Sequence, residues 1–250
     1  MALKNVAIRA VSLLGLVAFW ALMAKLNGNP RVLPGPGDVM PRIWTELVSG
    51  ELLHHIQATL TRVIFASVLA MTIGVVIGIL MGRSPALNRW LDAWLVVFLN
   101  LPALVIIVLC YLWIGLNELA AVAAVAINKI PMVTAMMREG ARVLDPSLDA
   151  MTRVFGMSRW RRLRHVVFPQ LAPHLASAAR SGISLIWKIV LVVEFLGRSS
   201  GIGFKIHLYF QLFDVAMVLA YALAFTAVML AIEILILQPV ETRARAWRTA

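Results

Sequence analysis

The stretch TLTRVIFASVLAMTIGVVIGILMG, Thr59 to Gly82, decides the fold class. From Val63 onward it carries no charged side chain. An α-helix needs about 20 predominantly apolar residues to cross a bilayer, and this stretch supplies them. Ala66, Ala70, Gly74, Gly78 and Gly82 recur at every fourth position. That spacing makes one smooth ridge along which another helix backbone can come close. The ridge predicts tight helix packing and leaves open whether the neighbour is in the same chain or in a second copy.

Working outward, five more apolar runs have spanning character, near 9–26, 90–114, 119–137, 178–197 and 214–238. The third and fourth spans, in chain order, are separated only by the Gly115–Glu118 turn. The chain is 61% hydrophobic and 14% charged, with a mean hydropathy of +0.87. Soluble domains run at about 45–50% apolar and about 25% charged, so lipid is the expected solvent. Lipid offers no partner to open backbone groups, so every span is expected to be helical. The fold class is therefore an all-α membrane protein of about six transmembrane helices. Lys4 and Arg9 ahead of the apolar run 10–24 resemble a signal peptide, but no A-x-A site follows. A retained first helix is expected. Cys110 lies within an apolar run and packs as a small hydrophobe.

The net charge of +11 is distributed as in an oriented membrane protein. Lys4, Arg9, Arg83, Arg89, Arg138, Arg142, Arg153, Arg159, Arg161, Arg162, Arg164, Arg243, Arg245 and Arg248 fall on one side. Lys25, Arg31, Arg42, Arg62, Arg198 and Lys205 fall on the other. The positive-inside rule places both termini in the cytoplasm. No basic face of a soluble domain is present, so no nucleic-acid partner is expected. The first outer loop, 27–58, opens with Leu33-Pro34-Gly35-Pro36-Gly37, which forces a bend. Residues 38–55 are amphipathic and could lie along the membrane surface. Adjacent His54 and His55 do not share a helix face and lack further ligands, so no metal site is expected.

The longest inner loop, 138–177, is the most informative segment. Asp145-Pro146 reads as an N-cap followed by Pro at the first helical position. The next residues place Met151, Val154 and Phe155 on one face, and Gly156 permits a left-handed stop. Ser158 can cap a second short helix carrying Trp160, Leu163, Val166 and Val167, with Pro169 and Pro173 expected to close the segment. Arg159, Arg161, Arg162 and Arg164 surround that helix with positive charge. Two readings stand side by side: an interfacial segment on anionic lipid, or a docking surface with an apolar knob and a charged rim.

The stretch from Ala150-Met151-Thr152 through Gly156 to Val166-Val167-Phe168-Pro169 resembles the EAA loop of ABC-importer permeases. Gly156 falls six residues after Ala150, and Val166 ten after Gly156, as in that family's pattern. Phe168-Pro169 stands where the family has Leu-Pro. Ala150 occupies the position of the usual Glu, with Asp149 one residue earlier. In the family this loop forms coupling helices seated in a groove of the ATPase subunit. The resemblance therefore implies a coupling role for Asp149, Ala150, Met151, Phe155, Gly156, Ser158, Trp160, Leu163 and Pro169. Trp160 and Leu163 are the expected apolar contacts. Leu33-Pro34-Gly35-Pro36, Gly50-Glu51-Leu52, Thr59-Leu60-Thr61-Arg62, Trp113-Ile114-Gly115-Leu116 before Glu118, Trp187, Glu194 and Gly201-Ile202-Gly203 look like the nitrate/sulfonate/taurine type. The resemblance spans roughly residues 30–240. It implies a type I importer fold, a second permease copy, a cytoplasmic ATPase dimer that binds ATP and Mg, and a periplasmic or lipid-anchored binding protein. It places the chain in the bacterial inner membrane.

No Lys precedes a Ser or Thr, so a P-loop is absent and hydrolysis falls to a partner. No nucleophile–base pairing or metal cluster is evident, which argues against an embedded enzyme and for a permease without its own cofactor. A secondary transporter driven by an ion gradient is the alternative, but no internal repeat supports it. The expected organisation is a first helix and outer loop over 1–58, a permease core over 59–240, and a basic tail over 241–250.

Ionisable groups inside spans default to functional readings. Lys188 lies near mid-span, Glu194 nearer the outer end, and Asn128 and Lys129 interrupt the fourth span. One reading is interhelical pairing, Lys188 with Glu233 or Lys129 with Glu194. The other is a polar lining to the translocation path, with Lys188 helping a small anion across.

Overall fold

The computed structural model describes residues 2–239, with side chains from Val11 onward except those of Asp149 and Arg159. The side chains of Lys4 and Arg9 and the basic tail 241–250 lie outside what is described. Among the described residues every regular element is helical. In order these are α1 (Ala2–Asn27), α2 (Pro36–Val48), α3 (Glu51–Arg83), α4 (Pro85–Asn100), α5 (Ala103–Ile114), α6 (Glu118–Arg142), α7 (Pro146–Val154), α8 (Arg159–Arg162), α9 (Phe168–Gly197), α10 (Ile202–Gln211) and α11 (Val215–Ile232). Short π-helical stretches follow α8 (Leu163–Val167) and α11 (Glu233–Leu237). Helices α3, α6 and α11 with its π extension are each long and apolar enough to cross a membrane.

The ridge of small residues finds its partner in the same chain. A Cβ on Gly74 would sit 2.7 Å from Val133 Cβ, on Gly78 2.6 Å from Met137 Cβ, and on Gly82 2.6 Å from Ala141 Cβ. So α3 and α6 lie backbone to backbone, and larger residues on α3 would push them apart. Helix α9 completes the core. Ile186, Trp187, Val190 and Val193 pack with Ala120, Ala121, Ala124 and Val125 of α6 and with Ile106, Ile107 and Cys110 of α5.

Four expectations need correction. The run 90–114 is not one span: α4 and α5 meet at a 95° bend. Leu101 is extended ahead of Pro102, the conformation a proline favours in its predecessor. The outer loop ends earlier than 58, because Gly50 at φ +83° stops the amphipathic segment and α3 begins at Glu51. Pro169 and Pro173 do not close the inner loop. Pro169 sits just past the π stretch Leu163–Val167, inside a continuous helical run, and the chain goes on as helix to Gly197. Finally, α10 is a helix where no element was expected.

Candidate coupling surface and transmembrane polar network

The inner loop forms the helix–Gly–helix that its sequence predicts. Asp145 caps α7, accepting from the Ser147 amide at 2.8 Å and the Ser147 hydroxyl at 2.7 Å. These bonds hold its carboxyl below the usual carboxylate range. At the other end Gly156 takes φ +57°. Met157 N–H donates to Thr152 O at 2.9 Å and Gly156 N–H to Arg153 O at 3.1 Å, the bond pair of a Schellman stop. Ser158 caps α8 through the Arg161 amide.

This turn geometry decides which side chains face outward. Val154 is 84% exposed, Phe155 74% and Trp160 67%. Met151 and Ser158 are also exposed, as are Ala150 and Pro169. Thr152 is buried and holds the turn from inside. Leu163 does not join the outer knob: it is half-buried against the cluster Val133, Met137, Ala141, Val167 and Leu171. The reason is helical phase, since Leu163 stands one turn ahead of Val167 on the face turned to α6. Asp149 lies in α7, and its side chain is outside what is described. Residues 163–197 run without a helix break, so the loop is mechanically one piece with α9. Its base is pinned where Gln170 accepts from the Asp145 amide at 3.0 Å.

At the opposite end, motif residues from four segments converge. Arg62 donates through Nη1 to Glu194 Oε1 at 2.6 Å and to Ser200 O at 2.7 Å. Its Nε and Nη2 fork onto Glu118 at 2.8 and 2.7 Å. Glu194 is fully buried and also accepts from Thr59 Oγ1 and the Gly203 amide, each at 2.9 Å. Gly201 at φ +108° lets the backbone pass the carboxylate, where a Cβ would sit 2.2 Å from Glu194 Cδ. Its amide donates to His55 Nδ1 at 3.0 Å. Arg198 ties Glu118 to Leu116 O. The expected Lys129–Glu194 pair is therefore not formed, because Arg62 holds that carboxylate. Lys188 does not meet Glu233, which pairs with Arg180 at 2.9 Å. The positive-inside count places Arg62 among the outer-side charges and names no partner for it, and Arg180 carries no expectation. The signal available was Arg62 itself, a charge at the outer end of a long apolar run, with Arg83 at the other end. Lys129 is buried in α6, and Lys188 is exposed on α9.

Residues 74–238 match the family described as binding-protein-dependent transport system inner membrane component. The putative aliphatic sulfonates transport permease protein of Escherichia coli (strain K12) is 33% identical over 195 residues, covering 76% of this chain and 73% of that protein. The riboflavin transport system permease protein of Chloroflexus aurantiacus is 32% identical over 213 residues, 83% of this chain and 78% of that one. The taurine transport system permease protein of Escherichia coli (strain K12) is 24% identical over 197 residues, 77% and 72% of the two chains. In three dimensions the chain resembles a chain of an inward-facing methionine ABC transporter, with a TM-score of 0.66 and 17% identity, over 78% of this chain and 98% of that one.

Proposed function

The chain belongs to the binding-protein-dependent transport system inner membrane components, the permease subunits of ABC importers, and from that membership we propose its working assembly and cargo. Two copies of the chain pair in the inner membrane with both termini in the cytoplasm. Two cytoplasmic ATPases bind beneath them and carry the ATP and Mg chemistry. A periplasmic or lipid-anchored binding protein delivers a small anionic solute of the sulfonate, taurine or nitrate kind. The names of the relatives support that solute class.

One observation carries the coupling step: the inner helix–Gly–helix exposes Val154, Phe155 and Trp160 on a segment continuous with α9. Large apolar side chains are rarely this exposed next to one another unless something covers them. A groove on the ATPase closes over them, with Arg161 and Arg164 at the rim. Closure of the ATPase dimer pulls this knob. Because Val167 and Leu171 pack on Val133 and Met137, α9 and α6 move together and the path between the copies changes its open side. Met151 and Ser158 complete the docking face, with Asp149 and Ala150 at its start.

Affinity purification of the tagged chain from native membranes tests this. A P-loop ATPase co-purifies near one-to-one and is lost in Phe155→Asp. A chain that purifies alone and transports on an ion gradient in liposomes would be a secondary transporter, and the reading would fall.

A further inference from the structure

Lys129 of α6 and Lys188 of α9 have no counter-charge among the described residues. Lys129 is buried at 9% exposure, Lys188 is exposed, and neither side chain has an ion pair or hydrogen bond among the described residues. Among the described side chains, the carboxylates on or beside these helices are engaged. Glu118 and Glu194 hold Arg62. Glu233 holds Arg180, and Asp92 and Glu139 hold Arg138. Glu51 holds Lys205. The same described carboxylates of a second copy are engaged alike.

The two lysines share a depth. Helices α6 and α9 run antiparallel: Glu118 at the start of α6 pairs with Arg198 just past the end of α9, and Gly140 lies against the His174 ring. From that contact Lys129 is eleven residues back along α6 and Lys188 fourteen residues on along α9. At about 1.5 Å per residue they stand within about 5 Å of one another in height. Eleven residues are about three full turns, so Lys129 faces α9 as Gly140 does; fourteen are about 40° short of four turns. A lysine on the chain's surface at mid-span would be costly against hydrocarbon. The surface that bears Lys188 therefore faces water or the second copy, with Lys129 one helix further in. Asn128, half-buried beside Lys129, makes no side-chain hydrogen bond among the described residues and offers an amide donor.

We propose that Lys129 and Lys188 form a mid-membrane anion site in the translocation path, which takes the oxoanion head group of the solute and makes negative charge a requirement for passage. This rests on the importer reading above. The anion supplies the counter-charge that the chain withholds, and leaves by exchange between the two ammonium groups. A neutral solute would leave both cations uncompensated.

The test uses the assembled importer in proteoliposomes, with ethanesulfonate, taurine, nitrate and neutral riboflavin as probes. At least one of the three anion-bearing probes is taken up and riboflavin is not. Lys129→Met lowers that uptake about tenfold or more, the scale of a lost charge-assisted hydrogen bond, and Lys129→Arg restores most of it. Lys188→Met gives a smaller loss. Both Met variants keep the bound ATPase and an unchanged or higher Tm, since an unpartnered cation is removed. Unchanged uptake in Lys129→Met, uptake of riboflavin alone, uptake of no anion by an ATPase-bearing complex, or a lowered Tm in Lys129→Met would each overturn the site. Failure of the ATPase to co-purify with the wild-type chain would instead overturn the importer reading.

Discussion

Arg62 holds one guanidinium between two carboxylates, with Nη1 on Glu194 at 2.6 Å and Nε and Nη2 forked onto Glu118 at 2.8 and 2.7 Å. Glu194 is fully buried, whereas the side chain of Glu118 is 56% exposed. The two contacts are therefore unequal. Glu118 can turn to water if the arginine goes, and Glu194 cannot. The cluster locks α3, α6, α9 and the loop after α9 into one rim, at the end of the bundle opposite the 138–177 loop. Taking an arginine and a carboxylate out of water is costly, so the pair is better regarded as a geometric lock than as a source of net stability.

Arg62→Met should destabilise the chain by about 3–5 kcal/mol, because it strands a buried carboxylate. The double variant Arg62→Met with Glu194→Met should recover a large part of that loss. Thermal unfolding of the detergent-purified permease measures both. A double variant no better than Arg62→Met would show that burial of Glu194 is not what sets the cost.

The close approach of α3 to α6 sets a steric limit at Gly78. A Cβ there would sit 2.6 Å from both Met137 Cβ and Thr134 O, and the second is backbone that cannot turn aside. Gly78→Val should cost at least the roughly 1–3 kcal/mol of an overpacked core. Gly182→Ala makes the control, since a Cβ there meets nothing within 4 Å. Comparable losses of Tm in the two would refute the packing argument.

The α7 cap predicts an acid dependence local to the loop. Ser147 donates twice to Asp145, and the folded pKa lies below the usual carboxylate value. Such a group stabilises the folded state above its unfolded pKa, and that stabilisation is lost as pH falls through the folded pKa. Hydrogen exchange at the first α7 amides, corrected for intrinsic rates, should show protection falling as pH drops through the ordinary Asp range, about 3.9, and continuing to fall below it. Asp145→Asn should flatten that dependence.

Legibility in the sequence followed the range of the forces involved. Span positions, the Asp145 cap, the Gly156 stop and the glycine ridge are local signals, and each could be read from spacing. The break at Leu101-Pro102 could not, because prolines inside spans are common and Pro131 and Pro173 sit within unbroken α6 and α9. What separates them is tertiary. Partner choice among buried charges was also illegible. Arg62 and Glu194 are 132 positions apart, and a sequence shows that Glu194 needs a cation without showing which of several reaches it. Leu163 was misplaced for a related reason. The loop face it joins depends on a π turn that rotates the residues after Arg162 relative to α8.

That rotation gives the sharpest contrast within the loop. Trp160 and Leu163 are three residues apart and were expected to act alike, yet Trp160 is 67% exposed while Leu163 packs against Val167 and Leu171. Trp160→Asp should leave Tm within about 0.5 kcal/mol equivalent, as for other exposed substitutions, and yet abolish ATPase retention. Leu163→Asp should do the reverse in kind. It buries an unpaired carboxylate against an apolar cluster, so Tm falls by an amount corresponding to several kcal/mol, and any loss of ATPase follows from unfolding. Tm and bound ATPase measured on the same preparations separate the two. If Leu163→Asp kept its Tm and lost only the ATPase, the side chain would face the partner after all, against its packing on Val167 and Leu171.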